Sequence, residues 1–247
     1  LIAKIFAPGI ISTEHNEFTP KFSNDGNELF YTLKGPKFYI IHITRENNQW
    51  NNPQIAPFSG KYDDADPAFS PDGNRLYYAS KRPIKSNNHS RDDFDYWYVQ
   101  RTEKGWGEQQ YEGSIINSEK DDLVSSVTAN GTKYFDYKGD IYKSQLINGQ
   151  YQKKVKLSDS INSKYYELSP FVAADESYLI FVSCRPDIGD GKADLFISSK
   201  NEDGSWTYAK NMGRQINSDA VDQAPAVTPD GKYLFFTSTR NGCLDIY

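Results

Sequence analysis

The stretch FSPDGNRLYYAS, Phe69 to Ser80, decides the fold. Asp72-Gly73 is the chemistry of a two-residue hairpin, because glycine accepts a positive φ at no steric cost. Leu76-Tyr77-Tyr78 then supplies the large side chains that suit a pleated, half-buried surface. The unit returns as FSNDGNELFYT from Phe22, VTANGTKYFDY from Val127, VAADESYLIFVS from Val172 and VTPDGKYLFFTS from Val227. Successive copies begin 47, 58, 45 and 55 residues apart, which suits four short strands per repeat and hence the blade of a propeller.

The rest of the repeat is readable around this hairpin. Its turns are Asp25-Gly26, Asn130-Gly131 and Asp230-Gly231, with Asp175-Glu176 predicting a different turn type in blade four. Third strands are expected at Tyr96-Trp97-Tyr98-Val99, Ile141-Tyr142 and Leu195-Phe196-Ile197. Trp50, Trp106, Tyr151 and Trp206 recur at one place in four repeats; they are expected to open fourth strands and to pack between sheets. The fifth repeat stops after its third strand, at Asp245-Ile246-Tyr247, while Ile10-Ile11-Ser12 matches Ile116-Asn117-Ser118, Ile161-Asn162-Ser163 and Ile216-Asn217-Ser218 at the ends of other fourth strands. The N-terminal segment is therefore expected to complete the last blade and leave no open sheet edge. The reading is all-β: a single five-bladed β-propeller with four antiparallel strands per blade, spanning residues 1–247 as one domain without a linker.

Composition agrees. Aromatic residues make up 15 % of the chain and there is a single Met, which favours sheet over helix bundle. The mean hydropathy of −0.73 indicates a polar surface, and no run approaches the roughly 18 apolar residues of a transmembrane segment. A net charge of −5 without a basic cluster removes the electrostatic footprint of a nucleic-acid binder. Leu1 to Phe6 is too short and lacks the charged flank of a signal peptide. Cys184 and Cys243 lack metal-type spacing and read as separate thiols.

PAFSPDGNRLYYASKR and PAVTPDGKYLFFTSTRNGCLDIY resemble the repeat of the TolB-like branch of WD-related β-propellers, and the resemblance spans essentially the whole chain. It implies an exported bacterial protein, periplasmic or extracellular, in a branch that includes cell-envelope assembly scaffolds and, with other blade numbers, carbohydrate-active enzymes. Five blades differ from the six of TolB itself, so TolB's particular partners are not carried over.

Candidate site residues follow from the repeat. Three positions before the proline of each first strand, or before Ser125 in its place, stand Glu17, Asp64, Asp122, Glu167 and Asp222. First strands line the channel of a propeller, so these acids are expected around one mouth, where like charges raise one another's pKa. Such a ring suits a divalent cation, Ca²⁺ or Mg²⁺. Equally, an acid fixed in every repeat can tie the incoming loop by accepting bonds from backbone N–H groups. On the same rim, second strands end in Arg82, Arg185 and Arg240, with Lys34 and Lys138 in blades one and three, and third strands open with Asp95, Asp140, Asp194 and Asp245. Arginine–carboxylate pairing is expected across this rim.

The blades differ in their loops. Residues 83–94 and 186–193 are long insertions, whereas blade three turns on Lys138-Gly139 alone, so a groove is expected between them. His15 and His89 can reach the rim, while His42 sits in a strand. No zincin pattern, nucleophile elbow or phosphate loop is present. The sequence thus reads as a non-catalytic scaffold that binds a glycan, peptide or cell-envelope protein through Arg82, His89, Arg185, Arg240 and His15 beside the acid ring. The rival is a glycan-active hydrolase or lyase using carboxylates or a cation at the channel mouth.

Overall fold

The computed structural model describes residues 3–84, 91–123, 126–186 and 192–247. Among these residues every regular element is a β-strand, and the strands form five antiparallel sheets arranged as a five-bladed propeller. Blade two shows the plan. Asp64–Phe69 pairs with Arg75–Ser80, which pairs with Asp95–Thr102, which pairs in turn with Gln110–Tyr111. The buried side chains form five clusters, each at an interface between neighbouring blades. One joins Phe30 and Ile40 of blade one to Leu76, Tyr78 and Trp97 of blade two; another joins Tyr134 and Ile141 of blade three to Leu179 and Phe196 of blade four. Burial between sheets, where large rings dominate the apolar area, is therefore what holds the ring.

The recurring aromatics take part in this packing, one step away from where the sequence places them. Trp50, Trp106 and Tyr151 belong to small hairpins at the outer tips, paired with Arg45, Arg101 and Leu146, and the fourth strands proper begin at Gln54, Gln110 and Val155. The Asn- and Gly-rich turns close these tip hairpins before the chain re-enters the sheet. From there Trp106 lies edge-on to Phe30 and Phe58 of the preceding blade.

The first strands of blades one, two, four and five carry the same irregularity. Pairing breaks between Phe18 and Lys21, Ala65 and Ala68, Leu168 and Phe171, and Gln223 and Ala226. Inside each break the residue before the proline has left-handed backbone: Thr19 (φ 52°), Asp66 (φ 52°), Ser169 (φ 48°) and Ala224 (φ 50°). Such bulges bend the strand and re-aim a side chain, and these four residues line the central channel. Three of the bulges are latched by the preceding blade's second strand. The N–H of Asp66 donates to Thr32 Oγ1 (2.9 Å), that of Ser169 to Asp136 Oδ1 (2.9 Å) and that of Thr19 to Thr237 Oγ1 (3.4 Å).

The N-terminal segment closes the ring against the last blade, where Phe6 N–H donates to Ile246 O (2.7 Å). Its register is one residue later than the sequence match suggested. In blades two to four Asn117, Asn162 and Asn217 accept the backbone N–H of Tyr96, Ile141 and Leu195 and donate back to the same residues' carbonyls. In the closing blade Ser12 does this, accepting from Ile246 N–H and donating to Ile246 O, each at 3.2 Å. Ile11, fully buried, is thus the counterpart of Ile116, Ile161 and Ile216, while Ile10 is exposed. A hydroxyl both donates and accepts, so serine can replace the asparagine amide, an equivalence that a literal match conceals.

Candidate functional site

The five acids that open the first strands are almost entirely buried. Each is held within its own repeat. Glu17 accepts from the N–H and hydroxyl of Thr13, Glu167 from those of Ser163, Asp222 from those of Ser218, and Asp122 from Ser118 N–H. Asp64 accepts instead from the hydroxyls of Ser59 and Ser80. Three of the acids also hold an arginine. Arg82 Nη2 lies 2.9 Å from Asp64 and donates to Phe58 O; Arg240 repeats this with Asp222 (2.5 Å) and Ile216 O, while Arg185 reaches Glu167 through Nε (3.3 Å) and Ile161 O through Nη2. Each arginine therefore staples the loop entering its blade to the end of its second strand, spreading its several N–H donors over a carboxylate and a backbone carbonyl.

These bonds supply the loop-tying arrangement. Among the described residues no three His, Cys, Asp or Glu side chains gather as a metal cluster. We therefore expect millimolar Ca²⁺ or Mg²⁺ to leave the melting temperature within about 1 °C of the metal-free value, since only a ligand selective for the folded state raises it. A concentration-dependent rise, lost in Asp64→Asn with Asp222→Asn, would restore the cation.

The other sequence candidates separate in the structure. Arg82 is buried, while Arg185 and Arg240 keep 12 % and 20 % of their side chains exposed. Lys34 and Lys138 are exposed and staple nothing. His15 lies exposed on the rim; His89 falls outside the described residues, as do residues 85–90 and 187–191 of the two long insertions. Asp95 forms an ion pair with Arg91 (2.8 Å) and Asp140 with Lys156 (2.7 Å); Asp194 accepts from Asn211, and Asp245 contacts Cys243. Beside the blade-two insertion, Arg91–Asp93 and Glu119–Asp121 flank a recess of about 470 Å³. Blade three's low turn serves as a seat: the Tyr166 ring packs where a β-carbon on Gly139 would stand, and the ring remains exposed. Both cysteines are free.

The channel itself carries three titratable groups absent from the sequence expectations. Lys21, Asp66 and Asp136 line a narrow axial space of about 20 Å³, with Thr19, Ser169 and Pro225. Burial pushes Asp66 up to about 7 and Asp136 up to about 6, with Asp136 adding to the effect on Asp66; burial also brings Lys21 down to about 8. At its hairpin-turn end the channel widens into a bowl of about 630 Å³ lined from all five blades, with Phe22, Phe69, Phe171 and Tyr178 among hydroxyl and amide groups such as Ser70, Ser126, Ser177 and Asn24. Lys21 borders both spaces.

The signal for these residues lay in breaks of the repeat. The residue before the proline is Thr19, Asp66, Ser169 or Ala224, so only Asp66 is acidic, and the residue after it is Lys21, Ala68, Phe171 or Ala226, so only Lys21 is charged.

The raised carboxyls have a measurable consequence. Asp66 and Asp136, with Asp95 (pushed up to about 6, mainly by burial), bind protons in the folded chain at pH values where the unfolded chain has released them. Their contribution is complete below the unfolded carboxylate range and is lost as pH rises through 6 and 7. The melting temperature should be roughly 5 °C higher at pH 5 than at pH 8, and Asp66→Asn should shrink that difference. A melting temperature that falls steadily from pH 8 to pH 5 contradicts these environments.

Comparison with solved structures agrees with the fold. The chain is similar to the native Bacillus subtilis arabinanase Arb43A at 12 % identity and TM-score 0.64, covering 95 % of this chain and 94 % of that one. It is similar to the putative TolB of Agrobacterium tumefaciens at 16 % identity and TM-score 0.57, covering 91 % and 70 %. A third likeness is to the α-L-arabinofuranosidase of Lactobacillus brevis, at 15 % identity and TM-score 0.53, covering 91 % and 84 %. At these identities the likeness is one of fold. No family model matches the sequence, and no curated protein matches it.

Proposed function

We propose that this chain is a non-catalytic glycan-binding propeller that takes a sugar chain into the axial bowl. The observation that carries the reading is the contrast between two volumes on one axis. The bowl of about 630 Å³ has the size of a small-molecule site and mixes aromatic faces with hydroxyl and amide groups, whereas the space beside Asp66 and Asp136 is about 20 Å³. That smaller space holds about one water. Glycoside hydrolysis needs a sugar ring between two carboxyl groups, and an inverting enzyme needs room for a water as well. The rim with His15, His89, Arg185, Arg240 and the long insertions is assigned in this reading to a cell-envelope partner, and residence in the periplasm or outside the cell belongs to the same proposal.

The second reading is a glycan hydrolase, and a specific observation favours it: Asp66 and Asp136 line one space and burial raises both, as the proton donor of such a pair requires. Two fold neighbours are, by name, an arabinanase and an α-L-arabinofuranosidase. A glycan array combined with mass analysis of incubated oligosaccharides separates the readings. We expect binding, weakened about tenfold or more in Phe171→Ala, with the oligosaccharides recovered intact. Cleavage products that vanish in Asp136→Asn would give the site to the hydrolase, and an array without binding would remove the glycan.

A further inference from the structure

Lys21 makes no ion-pair contact with a described residue, although the carboxyl of Asp66 acts on it across the axial space. Its described contacts are the carbonyl of Pro225, 3.5 Å from Nζ, and the face of Phe171, 5.8 Å away. It forms no ion pair with a described carboxylate, in contrast to Lys133, whose ammonium meets Glu112 inside the blade interface. The corresponding residues of the other first strands are Ala68, Ser126, Phe171 and Ala226, matched by their pairing to Tyr77, Tyr134, Ile180 and Phe235 as Lys21 pairs with Phe30. Four repeats therefore fill this position without charge. An ammonium that loses hydration is favoured by an anion and hydrogen-bond acceptors, and Lys21, half-buried at the narrowing of the bowl with its acid neighbours beyond ion-pair contact, is placed to receive a closer counter-charge from outside.

Resting on the glycan-binding reading, we infer that the bowl selects an acidic sugar, and that Lys21 pairs with the carboxylate of a uronate residue at the end of the bound chain. Phe22, Phe69 and Phe171 on the bowl wall give the ring of such a sugar its apolar contacts, whereas the hydroxyls of Ser70, Ser126 and Ser177 are bonded within the protein. Neighbouring acids leave the carboxylate room. Asp175, the acid on the bowl wall, is engaged by the N–H and hydroxyl of Ser177; deeper on the axis, burial pushes both Asp66 and Asp136 up, which favours their neutral forms, and Asp136 also accepts the N–H of Ser169. A neutral sugar would occupy the same walls and leave the ammonium without a partner, which is how a buried polar group generates discrimination.

The test uses an array of uronate-containing oligosaccharides and the same array after reduction of each carboxylate to CH₂OH, with the best binder then titrated calorimetrically. Wild type should bind the acidic member at least tenfold more tightly than its reduced counterpart. Lys21→Met, which keeps the length and apolar stem, should lose that preference while holding the reduced sugar within about twofold of wild type. Its melting temperature, close to that of wild type, verifies the fold. Equal affinity of wild type for the two arrays, or a preference that survives in Lys21→Met, overturns the acidic-sugar assignment and leaves glycan binding standing. Absence of binding to either array overturns both.

Discussion

Glu112→Ala is expected to destabilise the protein by about 3–5 kcal/mol, the cost of leaving a buried charge without its partner. Lys133 stands where the other second strands carry Leu29, Leu76, Leu179 and Leu234, opposite the residues that close each first strand. Its side chain is 1 % exposed and that of Glu112 is 6 %. The rings of Tyr77, Tyr151 and Tyr96 surround the ammonium at 4.2, 4.4 and 5.1 Å. Burial brings the lysine down to about 8 even though Glu112 opposes the shift. The pair therefore offsets its own desolvation cost only while both members are present. Lys133→Leu together with Glu112→Leu should be neutral or stabilising, since apolar replacements of buried ion pairs commonly are. Urea unfolding of the single and double variants decides the matter: a Glu112→Ala protein within about 1 kcal/mol of wild type would show that the tyrosine faces suffice for the cation.

Ring closure gives the second large effect. Ile11→Ala should cost about 2–5 kcal/mol, as for a fully buried aliphatic truncated in a close-packed core, while Ile10→Ala should change stability by less than about 0.5 kcal/mol at its exposed position. Removing residues 1–13 takes away Ile11, Ser12 and the Phe6 ring, which packs against Phe22, Trp50 and Phe235. The bare edge of Asp245–Ile246 would then be open to another chain. We expect a melting temperature lower by roughly 10 °C or more, with aggregation on heating. Equal effects at Ile10 and Ile11 would return the register to the one that the sequence match suggests.

Much of this architecture was legible because a repeat states its fold five times. The hairpin from Phe69 to Ser80 was legible as a hairpin, and similar copies at blade spacing leave few alternatives. Its turn, however, spans four residues rather than two and is closed by Gly73 N–H to Ser70 O, and blade four keeps the same turn with Glu176 at φ 60° instead of adopting another type. The site was harder to read for the same reason. Glu17, Asp64, Asp122, Glu167 and Asp222 stand out because they recur, yet recurrence is what a structural role produces, and their bonds to Thr13, Ser59, Ser118, Ser163 and Ser218 are of that kind. Asp66 and Lys21 occur once each, and a bulge turns Asp66 toward the axis. Sequence shows the odd residue but not the direction of its side chain, which depends on a local φ of 52°.

The Ser12–Ile246 clasp joins residues 234 positions apart. Each of the other blades is made of strands close together in the chain, and only its neighbours cover its apolar faces. The last sheet must wait for the first segment to come round. Bringing such distant residues together costs loop-closure entropy before any contact rewards it, so the clasp carries the largest closure cost in this topology. Until then a nascent molecule carries one unpaired edge and the apolar faces of Phe235 and Ile246, and it is at that stage, rather than in the finished ring, that it is vulnerable to misassembly.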